Sequence, residues 1–169
     1  REALLDHLDI PGANIHSVAS TDDGLDLDAA AIAYADELAQ FAPADRSDTG
    51  PWPSFDICFL GVGPDAHIAS LFPDRPEISV TDRATVPVRD SPKPPSDRVS
   101  LTRPVINSSK RVWMVIAGAD KAAALGLALA GASYQSVPAA GAKGRRRTAF
   151  FVDEAAADQV PPQLIDREY

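Results

Sequence analysis

A short apolar run that ends in a glycine-rich turn carrying two titratable side chains constrains this chain more than any other feature. It lies in the stretch from Phe55 to Pro73, Phe-Asp-Ile-Cys-Phe-Leu-Gly-Val-Gly-Pro-Asp-Ala-His-Ile-Ala-Ser-Leu-Phe-Pro. Ile57-Cys58-Phe59-Leu60, bounded by turn residues, suits a strand buried on both faces. Gly61 and Gly63 let the backbone turn sharply and come close to a ligand. Pro64 fixes φ, and Asp65 and His67 follow in alternation. Open α/β sheets place their ligands at turns of this kind, beyond the carboxyl ends of strands. A plainer reading stands beside it, in which Asp65 caps a helix and His67 is a satisfied loop histidine. Short Gly-rich turns are common, so the local pattern alone does not decide.

The same strand, turn and helix order recurs downstream. Val112 to Ala117 is a second apolar strand, Gly118 turns it, and a helix is predicted from about Asp120 to Ala130, ended by Gly131. Thr148 to Val152 is a third strand, after which Asp153 caps a short helix through Asp158. This repetition predicts an α/β fold, a Rossmann-like parallel sheet flanked by helices with right-handed crossovers. Upstream, Arg1 to Leu8 reads as the end of an amphipathic helix stopped by Pro11-Gly12. Asn14 to Ala19 reads as a short strand and Asp22-Asp23-Gly24 as a turn. Asp28 is the expected cap of a helix from about Ala29 to Phe41. Pro43 to Pro53 reads as a surface loop. Asp74 to Arg83 is irregular, and Ala84 to Val88 suits a short strand. Ser91 to Pro95 holds three prolines, so it is neither helix nor inner strand, and it reads as a stiff loop delivering Arg98. Leu101 to Ser108 begins a short helix, and Ser136 to Arg147 is a loop with Pro138, Gly141 and Gly144.

With 169 residues the chain suits one domain with a real core. The net charge of −8 argues against nucleic acid or an anionic membrane as a general partner, while leaving room for a local basic pocket. No run of about 20 apolar residues is present to span a membrane. The single Cys58 has no internal disulfide partner and suits a small core residue in a reducing, cytoplasmic setting. His7, His16 and His67 are scattered and lack ligand spacing, so no metal is expected. Gly61-Val62-Gly63 lacks the third glycine and the acidic partner of a dinucleotide fingerprint, and no cofactor is expected. Ser70 lacks the Gly-x-Ser-x-Gly elbow of a serine hydrolase.

Five groups of side chains remain as candidates for chemistry. His67 is the candidate base, because neutral imidazole can take a proton at physiological pH. Lys121 falls in the first turn of its helix, where a cation opposes the helix dipole unless an anion binds there too. It reads either as a lysine swinging into water or as part of an anion site. Arg98 reads either as an ordinary surface arginine or as a bidentate phosphate ligand. Arg145-Arg146-Arg147 is a basic cluster in an acidic chain, most simply a solvated face. Lys93 is equally open.

Leu60-Gly61-Val62-Gly63-Pro64-Asp65-Ala66-His67-Ile68-Ala69-Ser70-Leu71-Phe72-Pro73 resembles the signature of 6-phosphogluconolactonases of the bacterial, sugar-isomerase-like type. Ser91-Pro92-Lys93-Pro94-Pro95, Arg98-Val99-Ser100-Leu101-Thr102 and Ala117-Gly118-Ala119-Asp120-Lys121 extend the resemblance over most of the chain. The departure is Ala66, where the family has Gly; if that residue needs φ > 0, Ala strains the loop by roughly 1 kcal/mol or more. The resemblance implies hydrolysis of 6-phospho-D-glucono-1,5-lactone to 6-phospho-D-gluconate in the oxidative pentose phosphate pathway. It implies Arg98 and Lys121 as ligands of the substrate phosphate. His67 is the expected base for water with Asp65 as its orienting partner, and Gly61, Gly63 and one arginine of the Arg145-Arg146-Arg147 cluster, taken as Arg145, complete the expected substrate- and phosphate-binding set. Backbone N–H groups from Gly61 to Ala66 are the expected oxyanion donors. The expected partner is a phosphosugar lactone alone, on a monomer or weak homodimer. Family members also carry an upstream Gly-rich phosphate loop and an Asp-Glu-Arg motif. The sequence opens at Arg1, so residues 1–169 are expected to be a single α/β domain, the C-terminal two-thirds of a longer lactonase domain. Two alternatives stand. One is a glucosamine-6-phosphate deaminase/isomerase, whose related motif places a glutamate where this chain has Phe72. The other is a phosphosugar-binding module that does not catalyse.

Overall fold

The computed structural model describes residues 3–45, 50–158 and 160–165. Three strands, β1 (Ile57–Gly61), β4 (Arg111–Ile116) and β5 (Arg147–Val152), form an all-parallel sheet in the order β1-β4-β5. Cys58 pairs with Val112, and Val112 with Thr148, so all three carboxyl ends lie along one edge. A separate antiparallel ladder joins β2 (Thr85–Val88) to β3 (Arg98–Leu101). The helices are α1 (Leu27–Ala39), α2 (Arg103–Ser108), α3 (Ala122–Leu129) and α4 (Glu154–Ala157). This is the expected α/β class, with a parallel sheet and helices packed on it.

The main core forms on one face of that sheet. Cys58 and Leu60 of β1 and Val112, Met114 and Ile116 of β4 point inward, onto Ala124, Leu125 and Ala128 of α3 and Ala156 of α4. Ile68, Leu71 and Phe72, from the turn after β1, close its upper end. Cys58 is a free, buried thiol, pushed up in pKa by burial against an opposing hydrogen bond from Ser109, which suits a core residue. A second, smaller cluster sets Leu38 of α1 with Trp52, Ala84 and Val105.

The expectation of a strand buried on both faces does not hold. Burial alternates along β1, and Phe59 is 65% exposed. The register aligns Phe59 with Trp113 and Val115 with Phe151 on the outer face. Phe59 and Phe151 each meet the Trp113 ring edge-on at 5.2 Å. The physical reason is one-sided cover: α3 and α4 contribute their buried residues to the same core on the inner face.

Other boundaries shift for local reasons. Arg98–Leu101 is a strand rather than the end of a stiff loop, because β2 supplies an antiparallel partner. The cap of α1 is Asp26, whose Oδ1 accepts from the Ala29 N–H at 2.7 Å, so Asp28 falls inside the first turn. No strand forms over 14–19, and the described part of the first segment holds only a 3-10 turn, Leu5–His7. Residues 46–49 of the Pro43–Pro53 loop lie outside the described residues. The downstream helix begins as a 3-10 turn, Ala119–Lys121, continues as α3 and ends at Gly131 with φ 70°. Asp153 caps α4 as expected, accepting from Ala156 N–H at 2.8 Å. No helix among the described residues is long and apolar enough to cross a membrane.

Candidate active site

Loop 62–73 leaves the carboxyl end of β1 and folds back on itself. Ala66 N–H donates to Gly63 O at 2.9 Å, closing a turn with Pro64 and Asp65 at its centre. Gly63 N–H donates to His67 O at 3.0 Å, and Val62 bridges to Ile68. No helix follows Asp65, so the capping reading falls away. Instead its Oδ1 meets His67 Nδ1 at 2.6 Å. A carboxylate is acceptor-only, so Nδ1 carries a proton, and it is the neutral imidazole in this tautomer whose Nε2 holds a lone pair. The His67 side chain is 13% exposed and lies against the buried Phe72 ring, 4.5 Å between centroids.

Burial raises the Asp65 carboxyl, but the His67 hydrogen bond and charge, aided by the N–H groups of Asp65 and His67, outweigh it and hold the group below its ordinary value. The stabilisation from a lowered carboxyl is present above its unfolded pKa and fades as pH falls through the folded one. At neutral pH Asp65 is therefore a carboxylate.

Gly63 is required by its neighbours. A Cβ there would collide with the His67 ring and with Asp65 Oδ1. Ala66 does take φ 65°, the left-handed conformation that strains Ala by about 1–2 kcal/mol. Its methyl is also 2% exposed and packs in the core, which recovers about 0.8 kcal/mol. Ala66→Gly is accordingly expected to leave stability within about 1 kcal/mol of the parent in a urea melt, the two terms nearly cancelling. A loss beyond about 2 kcal/mol would mean that methyl packing dominates.

A cavity of about 550 Å³ opens at this edge of the sheet, lined by Gly61, Gly63, His67, Lys93 and Lys121 among others. That size suits a small ligand. Lys121 Nζ reaches Ala117 O at 2.9 Å, just past the end of β4. Lys93 Nζ stands 3.7 Å from Asp65 Oδ1. The structure thus brings together Asp65, His67, Gly61, Gly63 and Lys121, and adds Lys93, which sequence reasoning left undecided. The available signal was a lone cation held between prolines.

Arg98 and Arg145 are placed differently. The Arg98 guanidinium turns away to backbone carbonyls of 93–95 and does not line the cavity. Arg145 precedes β5, at the amino ends of the parallel strands. The site lies at their carboxyl ends, the length of a six-residue strand away, about 20 Å. Of the expected oxyanion donors, the Gly63 and Ala66 N–H groups are committed to bonds within the loop. Among the described residues no three His, Cys, Asp or Glu side chains converge as a metal site.

Fold and cavity together define an α/β protein with a cavity of small-ligand size at the carboxyl ends of its parallel strands. The chain belongs to the family described as glucosamine-6-phosphate isomerases/6-phosphogluconolactonase, whose model matches residues 1–151. It is 48% identical to the 6-phosphogluconolactonase of Mycobacterium tuberculosis, over 95% of this chain and 64% of that one. It is 46% identical to that of Streptomyces coelicolor, over 97% of this chain and 63% of the relative. The crystal structure of 6-phosphogluconolactonase from Thermotoga maritima superposes with a TM-score of 0.73 at 29% identity, over 89% of this chain and 61% of the other. The chain therefore spans less than two-thirds of the length of these relatives.

Proposed function

We propose that the protein hydrolyses 6-phospho-D-glucono-1,5-lactone to 6-phospho-D-gluconate, a step of the oxidative pentose phosphate pathway. The observation that carries this reading is the Asp65–His67 pair, 2.6 Å apart, on a cavity that two lysines also line. The 6-phosphogluconolactonase relatives support it. His67 Nε2 takes a proton from water as the water oxygen bonds to C1 and the carbonyl electrons move to oxygen. Collapse of that intermediate breaks the bond from C1 to the ring oxygen, which receives the proton back from Nε2. The products balance as lactone plus water. Asp65 remains a carboxylate and holds the imidazole in the working tautomer. Lys121 and Lys93 supply positive charge for the phosphate. A bound anion also offsets the cost of placing Lys121 at the start of α3. Phe72, packed on His67 where the deaminase motif has a glutamate, favours the lactonase over the deaminase. A buried free Cys58 is consistent with a cytoplasmic protein.

The test is hydrolysis of freshly made lactone by the chain and by His67→Ala, with spontaneous hydrolysis subtracted. The variant is expected to lose about 10²–10⁴-fold in kcat. Turnover that survives would move the base elsewhere. Binding of 6-phosphogluconate without turnover would favour a binding module.

A further inference from the structure

We infer that Arg98 is a positioning residue that fixes the two halves of the site relative to one another, rather than a ligand of the substrate phosphate; this rests on the reading of His67 and Lys93 given above. Its guanidinium makes three hydrogen bonds to one short segment: Nε donates to Pro95 O at 3.0 Å, and Nη2 to Lys93 O and Pro94 O at 2.9 Å each. These bonds hold the backbone of the residue whose ammonium stands beside Asp65. The same guanidinium lies over the Phe72 ring, 5.6 Å from its centroid, and that ring in turn carries the His67 imidazole. One planar group therefore touches both the lysine loop and the aromatic support of the base.

The chemistry explains why the residue is arginine. Three carbonyls along the edges of one flat group, with an aromatic ring beneath it, match a guanidinium and no other side chain. Both hydrogens of Nη2 and that of Nε are spent on backbone, which leaves little of the fork for a bidentate phosphate. Arg98 sits at the first residue of β3, so its Cα is fixed by the ladder to Val88. It can thereby transmit the position of that ladder to both the loop and Phe72.

Two substitutions separate the roles. Arg98→Met keeps the apolar stem and removes every donor; Arg98→Gln keeps an amide donor without charge. A thermal melt establishes that each variant is folded. With the phospholactone, Arg98→Met is expected to lose about 10- to 100-fold in kcat as the base loses its support, and to raise KM by less than about tenfold as the Lys93 loop loosens. Arg98→Gln is expected to recover much of that loss. A KM raised about tenfold or more with kcat intact, and no recovery in Arg98→Gln, would make Arg98 a phosphate ligand and overturn the inference. A second readout is independent of turnover. The His67 ring protons, placed in the ring current of Phe72, are followed by NMR. They are expected to move in Arg98→Met and to return toward the parent in Arg98→Gln. Unchanged resonances in Arg98→Met overturn the positioning role even if the parent chain proves inactive. An inactive parent whose His67 resonances do move would instead count against the lactonase reading alone.

Discussion

Gly63→Ala is expected to leave the protein folded and to remove most of the proposed lactonase turnover. The added methyl collides with the His67 ring and with Asp65 Oδ1, and with no backbone atom among its three nearest neighbours. Gly63 is absent from the residues with positive φ, so the backbone itself accepts alanine. Relief comes by pushing aside the two side chains that make up the proposed base. A displacement of about 1 Å in such a pair costs about 100-fold in rate, equivalent to about 2.7 kcal/mol of barrier. Stability should fall by no more than about 1–2 kcal/mol, because the moving groups are partly exposed side chains. Circular dichroism melts and initial rates with the phospholactone read the two quantities separately. A variant that keeps half of the parent rate would show that the Asp65–His67 geometry does not control turnover.

Much of this site was legible in the sequence because its determinants are local. Gly63, Pro64, Asp65 and His67 lie within five residues, and the turn that joins them is encoded by their own backbone preferences. The three parallel strands were legible for the same reason: each is an apolar run punctuated by a turn, and the boundaries agree within a residue or two. Features set by distant partners were not. Strand β3 exists because β2 lies beside it, and a run of Arg-Val-Ser-Leu after three prolines carries no signal of that pairing. The exposed face of β1 depends on which side the helices choose, and an unbroken apolar run reads alike in either case. The place of Arg145 is also legible. It directly precedes a strand of a parallel sheet, so it belongs at the amino edge, away from the ligand edge. Arg98 shows the converse limit. Its position in the chain announces a cation near the site, but only the fold shows that its donors are taken up by carbonyls three to five residues before it.

The same distinction makes two identical substitutions act with opposite sign. In Gly144→Ala the new Cβ would meet the Arg147 carbonyl oxygen, Val112 N at 2.8 Å and Arg111 C at 3.1 Å. All three are backbone atoms at the starts of β4 and β5, and none can rotate away. The surrounding chain is already stitched together: Arg145 N–H donates to Ser109 O at 2.9 Å and Arg146 N–H to Lys110 O at 2.8 Å. A methyl wedged there must part the two strands at their entry. Overpacking of about 1–3 kcal/mol then adds to one or two ladder bonds of about 1 kcal/mol each. The expected loss is about 3 kcal/mol or more, which lowers the melting temperature by about 6–12 °C for a chain of this size. Gly126→Ala is the control. Gly126 lies within α3 with nothing within 4 Å of its added Cβ. Alanine should there stabilise the helix by about 0.5–1 kcal/mol, because glycine loses more backbone entropy on folding. Denaturant melts of the two variants beside the parent decide the matter. If Gly144→Ala melts with the parent, the close approach of 144 to β4 is not a constraint on the fold. If Gly126→Ala also loses several kcal/mol, the cost lies in the substitution itself and not in the crowding at 144.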